Sequence, residues 1–322
     1  MKQRVLIIGA GNVIAAKVQR ALAASEWAEP VIFDGSSNTL SERQLDGIAA
    51  VFNGAMGAAR GILDHAQRLY GALERIGPAA GARIRVVHLS SMTVYGSRTG
   101  NTDESAPLRT DLGAYGAAHV SAEALAARHP NSMILRPGCE YGPHCAQWTE
   151  RIARLLWTHR LGDLGALGDG VCNLLFVDDL VTAITSSLRA TATGSSCLNL
   201  AMSSPPTWNE YFTRFSQALG AVPMSRLSAR RMRVETRLLA PPLKVLELLE
   251  RRLRPRSAAV PPPITPSLLQ VCGQNIRLNS RKAEQSLGLV WTPLGEGLRQ
   301  ATAALADDYS LGRISMRRNS IG

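Results

Sequence analysis

The sequence predicts an α/β protein with a doubly wound parallel sheet of the Rossmann type and a smaller C-terminal substrate domain. Short apolar runs alternate with helical patterns over the first two hundred or so residues. The runs are continuous rather than alternating in polarity, as is typical of strands that helices cover on both faces. The first run leads directly into a glycine-rich turn and a helix, the entry of many nucleotide-binding folds.

The order of the elements supports this fold. Apolar runs predict strands at residues 4–8, 30–34, 49–55, 83–91, 131–137 and 197–202. Helical patterns occupy residues 13–24, 60–76, 114–128 and 181–188. We therefore expect residues 1–170 to form the first domain, with residues 171–202 returning to its sheet. Residues 203–308 would form the smaller domain, in which Thr207 and Glu210 cap a helix, and residues 309–322 a flexible tail.

Composition indicates an ordinary globular protein. Of the 322 residues, 45% are hydrophobic and 19% are charged, which argues against disorder. No apolar stretch reaches about 18 residues, so no transmembrane helix is expected, and the N-terminal run is too short for a signal peptide. The five cysteines are scattered without a CxxC pair, which argues against a disulfide framework. We expect a cytoplasmic protein without a bound metal.

Residues 225–260 form a basic segment that carries much of the net charge of +11. Ten Lys and Arg residues stand there against three Glu residues, a difference of +7. Interleaved leucines indicate an amphipathic basic helix, which we expect Pro241 and Pro242 to break. Its plainest interpretation is a lid over the substrate cleft. The alternatives are a docking face for a phosphate-bearing or carrier-linked substrate, or for an anionic membrane. Nucleic acid is the weakest candidate, because the segment has no aromatic residues for base stacking.

The turn after the first strand has the composition of a nucleotide-binding loop. It reads GAGNVI over residues 9–14. Gly9 and Gly11 let the backbone approach a pyrophosphate, which the start of the next helix, at Asn12 and Val13, would hold. Ile14 stands where the full pattern has a small residue, and Ala15 is the next small side chain.

Asp34 ends the second strand, about twenty residues beyond the glycines. A carboxylate there can bind a ribose 2′-hydroxyl and repels a 2′-phosphate, so Asp34 favours NAD over NADP. The alternative is a plain turn, since Asp followed by Gly35 is itself a turn signal.

Several dispersed motifs carry a resemblance to a known family. They are SSMTVYG at residues 90–96, DESAP at 103–107, YGAAH at 115–119, LRPG at 135–138, YGP at 141–143, FVDDL at 176–180 and GLVWTP at 288–293. In this order and spacing the chain resembles the extended short-chain dehydrogenase/reductase family, the NAD-dependent epimerases and dehydratases. The resemblance is close over residues 4–202 and loose over residues 275–300.

The resemblance implies a catalytic set. Ser91 would hydrogen-bond the substrate oxygen, and Tyr115 would be the general acid/base for a secondary alcohol or ketone. In the family, a lysine four residues after the tyrosine lowers the pKa of the phenol from about 10 and binds the nicotinamide ribose. His119 stands at that position here. A histidine is mostly neutral at pH 7 but can still donate one hydrogen bond to the ribose.

The resemblance also implies the remaining site residues. The cofactor site would be completed by Asn53, Gly54 and Arg136. The substrate pocket would be lined by Met92, Thr93, Tyr95, Cys139 and Tyr141. Two of these positions have an alternative: Arg136 could equally anchor a loop through a carboxylate, and a structural role is the stronger expectation for Tyr95. The implied cofactor is NAD, no metal is implied, and a homodimer is common in the family.

These observations predict an NAD-dependent oxidoreductase or epimerase that acts on a secondary alcohol or ketone. A nucleotide sugar is the default substrate of the family. Two alternatives stay open: a non-catalytic NAD-binding sensor or scaffold, and a lyase or cyclase that reuses the same cleft. A working enzyme should lose turnover in Tyr115→Phe, and its pH profile should be set by a histidine.

Overall fold

The chain divides into two compact units. The computed structural model describes residues 2–33, 39–190, 194–253 and 260–310. The first unit comprises Met1–Gly138, Val177–Ser203 and Leu278–Trp291, and the second comprises Cys139–Phe176, Ser204–Arg277 and Thr292–Gly322. The predicted boundary at residue 170 differs from this division, because the chain leaves the first unit directly after its fifth sheet strand. Asp34 and residues 311–322 lie outside the described residues, as do Arg254 and Arg256 of the basic segment.

A six-stranded parallel sheet forms the centre of the first unit. The strands of the chain are β1 (Gln3–Ile8), β2 (Ala28–Ile32), β3 (Ile48–Asn53), β4 (Arg85–Leu89), β5 (Gly100–Thr102), β6 (Ser132–Pro137), β7 (Cys139–Tyr141), β8 (Leu174–Phe176), β9 (Ser196–Leu200) and β10 (Ile276–Leu278). The sheet has the order β2-β1-β3-β4-β6-β9. Its pairings are parallel, and Leu6 of β1, for example, lies opposite Val31 on one side and Val51 on the other.

Helices pack against this sheet. The helices of the chain are α1 (Val13–Ala24), α2 (Glu42–Leu45), α3 (Ala59–Arg75), α4 (Pro78–Gly81), α5 (Ala114–Ala126), α6 (Arg151–Trp157), α7 (Val177–Arg189), α8 (Trp208–Ala218), α9 (Ala229–Arg233), α10 (Ala240–Leu253), α11 (Pro266–Cys272), α12 (Arg281–Leu287) and α13 (Leu294–Ser310). Helix α3 packs against α5, and both contribute to one core cluster with the strands. Helix α1 packs against α7, and Lys17 Nζ contacts Asp178 Oδ1 at 2.7 Å. The predicted doubly wound fold is confirmed.

The apolar periods of the sequence explain this packing. On α3, Ile62, Ala66, Leu69 and Leu73 are buried, and their spacing of three or four residues places them on one helix face. All the residues of β4 are buried, as expected of a central parallel strand.

The strand order reverses at β1, since β2 lies on one side of it and β3 on the other. In open parallel sheets, ligands bind beyond the carboxyl ends of the strands at such a reversal. The loops that follow β1 and β3 therefore frame the position at which the sequence predicts the cofactor.

The second unit has an aromatic core. Thr207 Oγ1 accepts a hydrogen bond from the Glu210 N–H at 3.1 Å and starts α8 where the sequence predicts it. Aromatic residues of α8 then pack with one another and with aromatic rings of this unit, among them Trp208, Tyr211, Phe212, Phe215, Trp148 and Tyr141. Within the described ranges, no helix is long and apolar enough to cross a membrane.

The predicted break at Pro241 and Pro242 is wrong. Helix α9, a π-helical stretch (Val234–Leu239) and α10 follow one another without interruption. The prolines stand in the first turn of α10, directly after the wider π-helical turn. Each proline lacks an N–H, and the looser hydrogen-bond pattern of the π turn accommodates this loss where a regular helix would be kinked.

Candidate active site

The loop after β1 is fastened to the loop after β3. Gly9 has a φ of +88°, and a Cβ there would lie 2.7 Å from the Gly54 carbonyl oxygen, so only glycine fits this position. The Asn12 side-chain amide donates to the carbonyl oxygens of Gly9 and Gly54, both at 2.8 Å. Its Oδ1 accepts from the Ala15 N–H at 2.9 Å and caps α1. The structure thus brings the predicted residues Gly9, Asn12 and Gly54 together, and Asn12 holds the two loops in place.

Open space lies beside Gly11, where a Cβ would meet nothing within 4 Å. Helix α1 begins at Val13 and has no acidic residue in its first turn, so no side-chain carboxylate there offsets the positive end of its dipole. Ile14 is buried in the fold and does not project from the loop. A glycine-lined space at the start of a helix is what a pyrophosphate requires, so these residues fit a bound dinucleotide. The predicted ribose contact of Asp34 lies outside the described residues.

The side chain of Asn53 is engaged inside the fold rather than exposed at the cofactor loop. It is 2% exposed, and its Nδ2 lies 3.1 Å from His88 Nδ1. The Tyr70 hydroxyl lies 3.3 Å from the same nitrogen. Burial lowers the pKa of His88 to about 3, with a smaller contribution from His119. The side chain of Asn53 is already paired with a neutral buried histidine. The prediction that this side chain contacts the cofactor is therefore not supported.

Tyr115 and His119 lie one turn apart on α5, and their rings meet edge to face with centroids 4.7 Å apart. The Tyr115 side chain is exposed at 36%, whereas His119 is exposed at 1%. Neither ring nitrogen of His119 has a hydrogen-bond partner among the residues that the structure describes. Burial lowers the pKa of His119 to about 4, so the ring is neutral at pH 7. The predicted pH profile set by a histidine stays a prediction, and a profile set by His119 would have its midpoint near pH 4.

Ser91 follows β4 and starts a short 3₁₀ turn (Met92–Tyr95). Its Oγ accepts a hydrogen bond from the Thr93 N–H at 3.3 Å, and Ser91, Met92 and Thr93 are half-buried. The turn packs against α5 at Gly116, where a Cβ would lie 3.0 Å from the Thr93 carbonyl oxygen. The small residue after Tyr115 therefore lets α5 lie directly against the turn, and the predicted catalytic residues share one edge of the first unit.

A buried polar network lies beneath this edge, and sequence reasoning missed most of it. Glu123 of α5 and Arg136 of β6 form a two-pronged ion pair, with Nε–Oε1 at 2.9 Å and Nη2–Oε2 at 2.6 Å. Ser90 Oγ donates to Glu123 Oε1 at 2.5 Å. This geometry agrees with the alternative that the sequence left open for Arg136, an anchor through a carboxylate. The available signal was the spacing, since Glu123 follows His119 by one helical turn.

Three of the predicted pocket residues are buried. Tyr95 is 0% exposed, and its hydroxyl donates to Asn199 Oδ1 at 2.7 Å and accepts from Arg136 Nη1 at 2.8 Å. Burial raises the pKa of Tyr95 to about 12, although Arg136 opposes the shift. Cys139 and Tyr141 are buried within the second unit. These three side chains are packed inside the fold, and their contact with a substrate stays a prediction.

The chain resembles known proteins in sequence over part of its length and in fold over nearly all of it. Residues 56–201 match the model of the NAD-dependent epimerase/dehydratase family. No curated protein sequence matches the chain. Among solved structures, MoeE5 in complex with UDP-glucose and NAD has 21% sequence identity and a TM-score of 0.69, covering 95% of this chain and 99% of that one.

Two further structures have the same fold. The UDP-glucuronic acid 4-epimerase of Bacillus cereus, in complex with UDP-glucuronic acid and NAD, has 16% identity and a TM-score of 0.69, covering 95% of this chain and 99% of that one. TunA, an NAD-dependent NDP-hexosamine 5,6-dehydratase of tunicamycin biosynthesis, has 19% identity and a TM-score of 0.69, covering 95% and 98%. The predicted resemblance is confirmed over residues 56–201, which match the NAD-dependent epimerase/dehydratase family.

Proposed function

We propose that the protein binds NAD and oxidises a secondary alcohol of a nucleotide-linked sugar to a ketone, as one step of an epimerisation or dehydration. The observation that carries this proposal is the glycine loop at the strand reversal. Gly9 is fixed against Gly54, and the space beside Gly11 is open at the start of α1. The similar structures bound to UDP-sugars and NAD support the same ligand classes.

The residues of the chain supply the proton chemistry. Tyr115, at the exposed start of α5, takes the hydroxyl proton of the substrate when its phenol is ionised to the phenolate, and the Ser91 hydroxyl holds the substrate oxygen by a hydrogen bond. The loop of Gly9 and Gly11 would hold NAD, which would supply the acceptor for the hydride that leaves the same carbon. The C–H and O–H bonds of the alcohol break and a C=O bond forms, so the electrons balance.

His119 has a positioning role in this proposal. Its ring is neutral, so one nitrogen can donate a hydrogen bond and the other can accept one. Both nitrogens lack a partner among the described residues, and the hydroxyls of a ribose would satisfy them. Unlike the lysine of the family, His119 supplies no fixed charge to Tyr115. The proposed enzyme therefore depends on a phenol that no cation at this position helps to ionise.

Calorimetric titration with NAD, NADH, NADP and NADPH tests the binding step, after any co-purified cofactor has been removed. We expect NAD and NADH to bind in preference to the phosphorylated forms. Wild-type protein and Tyr115→Phe are then incubated with a panel of UDP- and other nucleotide-linked sugars, with chromatography of the products. Turnover should require Tyr115.

The other outcomes identify the alternatives. NAD binding without turnover of any sugar would favour the sensor or scaffold, and turnover that does not depend on NAD would favour the lyase or cyclase. Failure to bind any dinucleotide would refute the proposal. A homodimer stays a prediction, which light scattering coupled to size exclusion tests.

A further inference from the structure

Helix α10 of the basic segment turns acidic side chains towards the fold and aliphatic side chains outward, unlike an ordinary surface helix. On α10, the residues turned towards the fold are Ala240, Leu243, Glu247 and Glu250, spaced by three or four positions. The positions between them are exposed, and most of those are apolar. A surface helix in water normally buries its apolar stripe and exposes its charges. This helix instead turns two carboxylates inward and several aliphatic side chains outward.

The exposed leucine face is defined as Leu238, Leu239, Val245, Leu246, Leu248 and Leu249. Their side chains are between 42% and 67% exposed. With Val234 they make up seven of the thirteen large apolar residues that are exposed among the described residues. Single exposed apolar residues are common, but a concentration on one short segment marks a surface that binds something apolar.

The charges of the same segment are sorted by sign. Between residues 226 and 250 every basic side chain is exposed: Arg226, Arg230, Arg231, Arg233, Arg237 and Lys244. The three carboxylates are not exposed. Glu235 pairs with Arg160 at 2.5 Å, Glu247 pairs with Lys244 at 2.9 Å, and Glu250 accepts from the Val260 N–H at 3.2 Å.

We infer that the exposed leucine face docks on an anionic lipid bilayer, with the leucines in the headgroup boundary and the arginines on the lipid phosphates. An interfacial helix needs an aliphatic face together with an excess of Lys and Arg, and both occur here on one continuous helical stretch. A neutral protein partner would not require the exclusion of acidic side chains from the surface. The charge complementarity therefore favours an anionic lipid surface.

Vesicle co-sedimentation tests this inference with full-length protein and no nucleotide. The lipids are phosphatidylcholine alone, or an equal mixture of phosphatidylcholine and phosphatidylglycerol. We expect binding to the mixed vesicles only, weakened by added salt. Leu248→Ser with Leu249→Ser should weaken binding about tenfold or more. Arg233→Gln with Arg237→Gln should weaken it by about fivefold for each charge.

Val290→Ser is the matched control, since Val290 is an exposed aliphatic residue at 88% that lies outside the segment. It should bind vesicles as the wild type does. Thermal melting checks that every variant retains the fold, which we expect because the substituted side chains are exposed.

Three results would overturn the inference. The first is equal binding to neutral and mixed vesicles, and the second is binding to mixed vesicles that the leucine substitutions leave unchanged. The third is a leucine variant whose mass in solution without lipid falls below that of the wild type, since the face would then join two copies of the chain. The assay uses no cofactor, so its outcome is independent of the proposed oxidoreductase activity.

Discussion

Replacing His119 by lysine should lower the pKa of the Tyr115 phenol. The two rings lie 4.7 Å apart between centroids, and the native imidazole is neutral because burial lowers its pKa to about 4. An ammonium group at position 119 would place a positive charge at a comparable distance from the phenol. Stabilisation of the phenolate then favours loss of the proton at a lower pH.

The distance sets the size of the effect. At about 5 Å and an effective dielectric constant of about 20, two unit charges interact by about 3 kcal/mol, or about 2 pKa units. Tyr115 is 36% exposed, so water screens part of this interaction. We therefore expect a decrease of about one unit in the pKa of Tyr115 in His119→Lys.

The assay is a spectrophotometric titration of tyrosinate absorbance, which needs no substrate. The signal of Tyr115 is isolated by subtracting the curve of Tyr115→Phe, or of Tyr115→Phe with His119→Lys, from the corresponding parent. Three of the other tyrosines titrate at higher pH, because burial raises the pKa of Tyr70, Tyr95 and Tyr211.

His119→Gln is the matched control, since it changes the side chain without adding charge, and it should leave the Tyr115 midpoint unchanged. The reasoning fails if His119→Lys does not lower the midpoint, or if His119→Gln lowers it equally. Either result would mean that charge at position 119 does not govern the ionisation of Tyr115.

The glycine loop, the buried ion pair and the neutral histidines each predict a further effect. Gly9→Ala should lose about 2 kcal/mol or more of unfolding free energy in urea, whereas Gly11→Ala should unfold like the wild type but bind NAD more weakly in calorimetry. Equal stability of the two variants would contradict this. Glu123→Ala leaves Arg136 buried without its carboxylate and should cost about 3–5 kcal/mol in the same urea assay, part of which Arg136→Met should restore in the double variant. Because the pKa of His88 is about 3 when folded and about 6.5 when unfolded, the unfolded chain binds a proton that the folded chain does not. The stability contributed by His88 is thus complete above pH 6.5 and declines below it by about 1.4 kcal/mol per pH unit. Urea unfolding at pH 7, 6 and 5 measures this decline. An unfolding free energy that does not change with pH would refute the burial argument.

The sequence predicts those parts of the fold that depend on local pattern. The helix predicted at residues 13–24 is α1, Val13–Ala24, because its start follows the glycine turn and its apolar spacing is regular. Gly9 and Asn12 lie in the loop where the motif places them, since backbone geometry there admits few residue types.

The parts that the sequence does not predict depend on partners that are distant along the chain. Asn53 meets His88, and Glu123 meets Arg136, only after the sheet and α5 have assembled. The helical spacing after His119 places Glu123 on α5 but does not identify Arg136 as its partner, and no local pattern pairs Asn53 with His88. Near Pro241, residue propensity predicts a break, whereas a π turn just before it allows the helix to continue.

The division of the chain into units also affects the order in which the protein can fold during synthesis. The first unit draws on three separate stretches of sequence, and the last of them ends at Trp291. Its edge strand β9 leaves the ribosome only after all of Cys139–Phe176, which belongs to the second unit. The early strands therefore lack their edge partner β9, and β6 stays unpaired on one side, while much of the chain is still being synthesised. No single cut in the gene separates the two units, and a fragment that ends near residue 138 would expose an aggregation-prone strand edge instead of forming an independent domain.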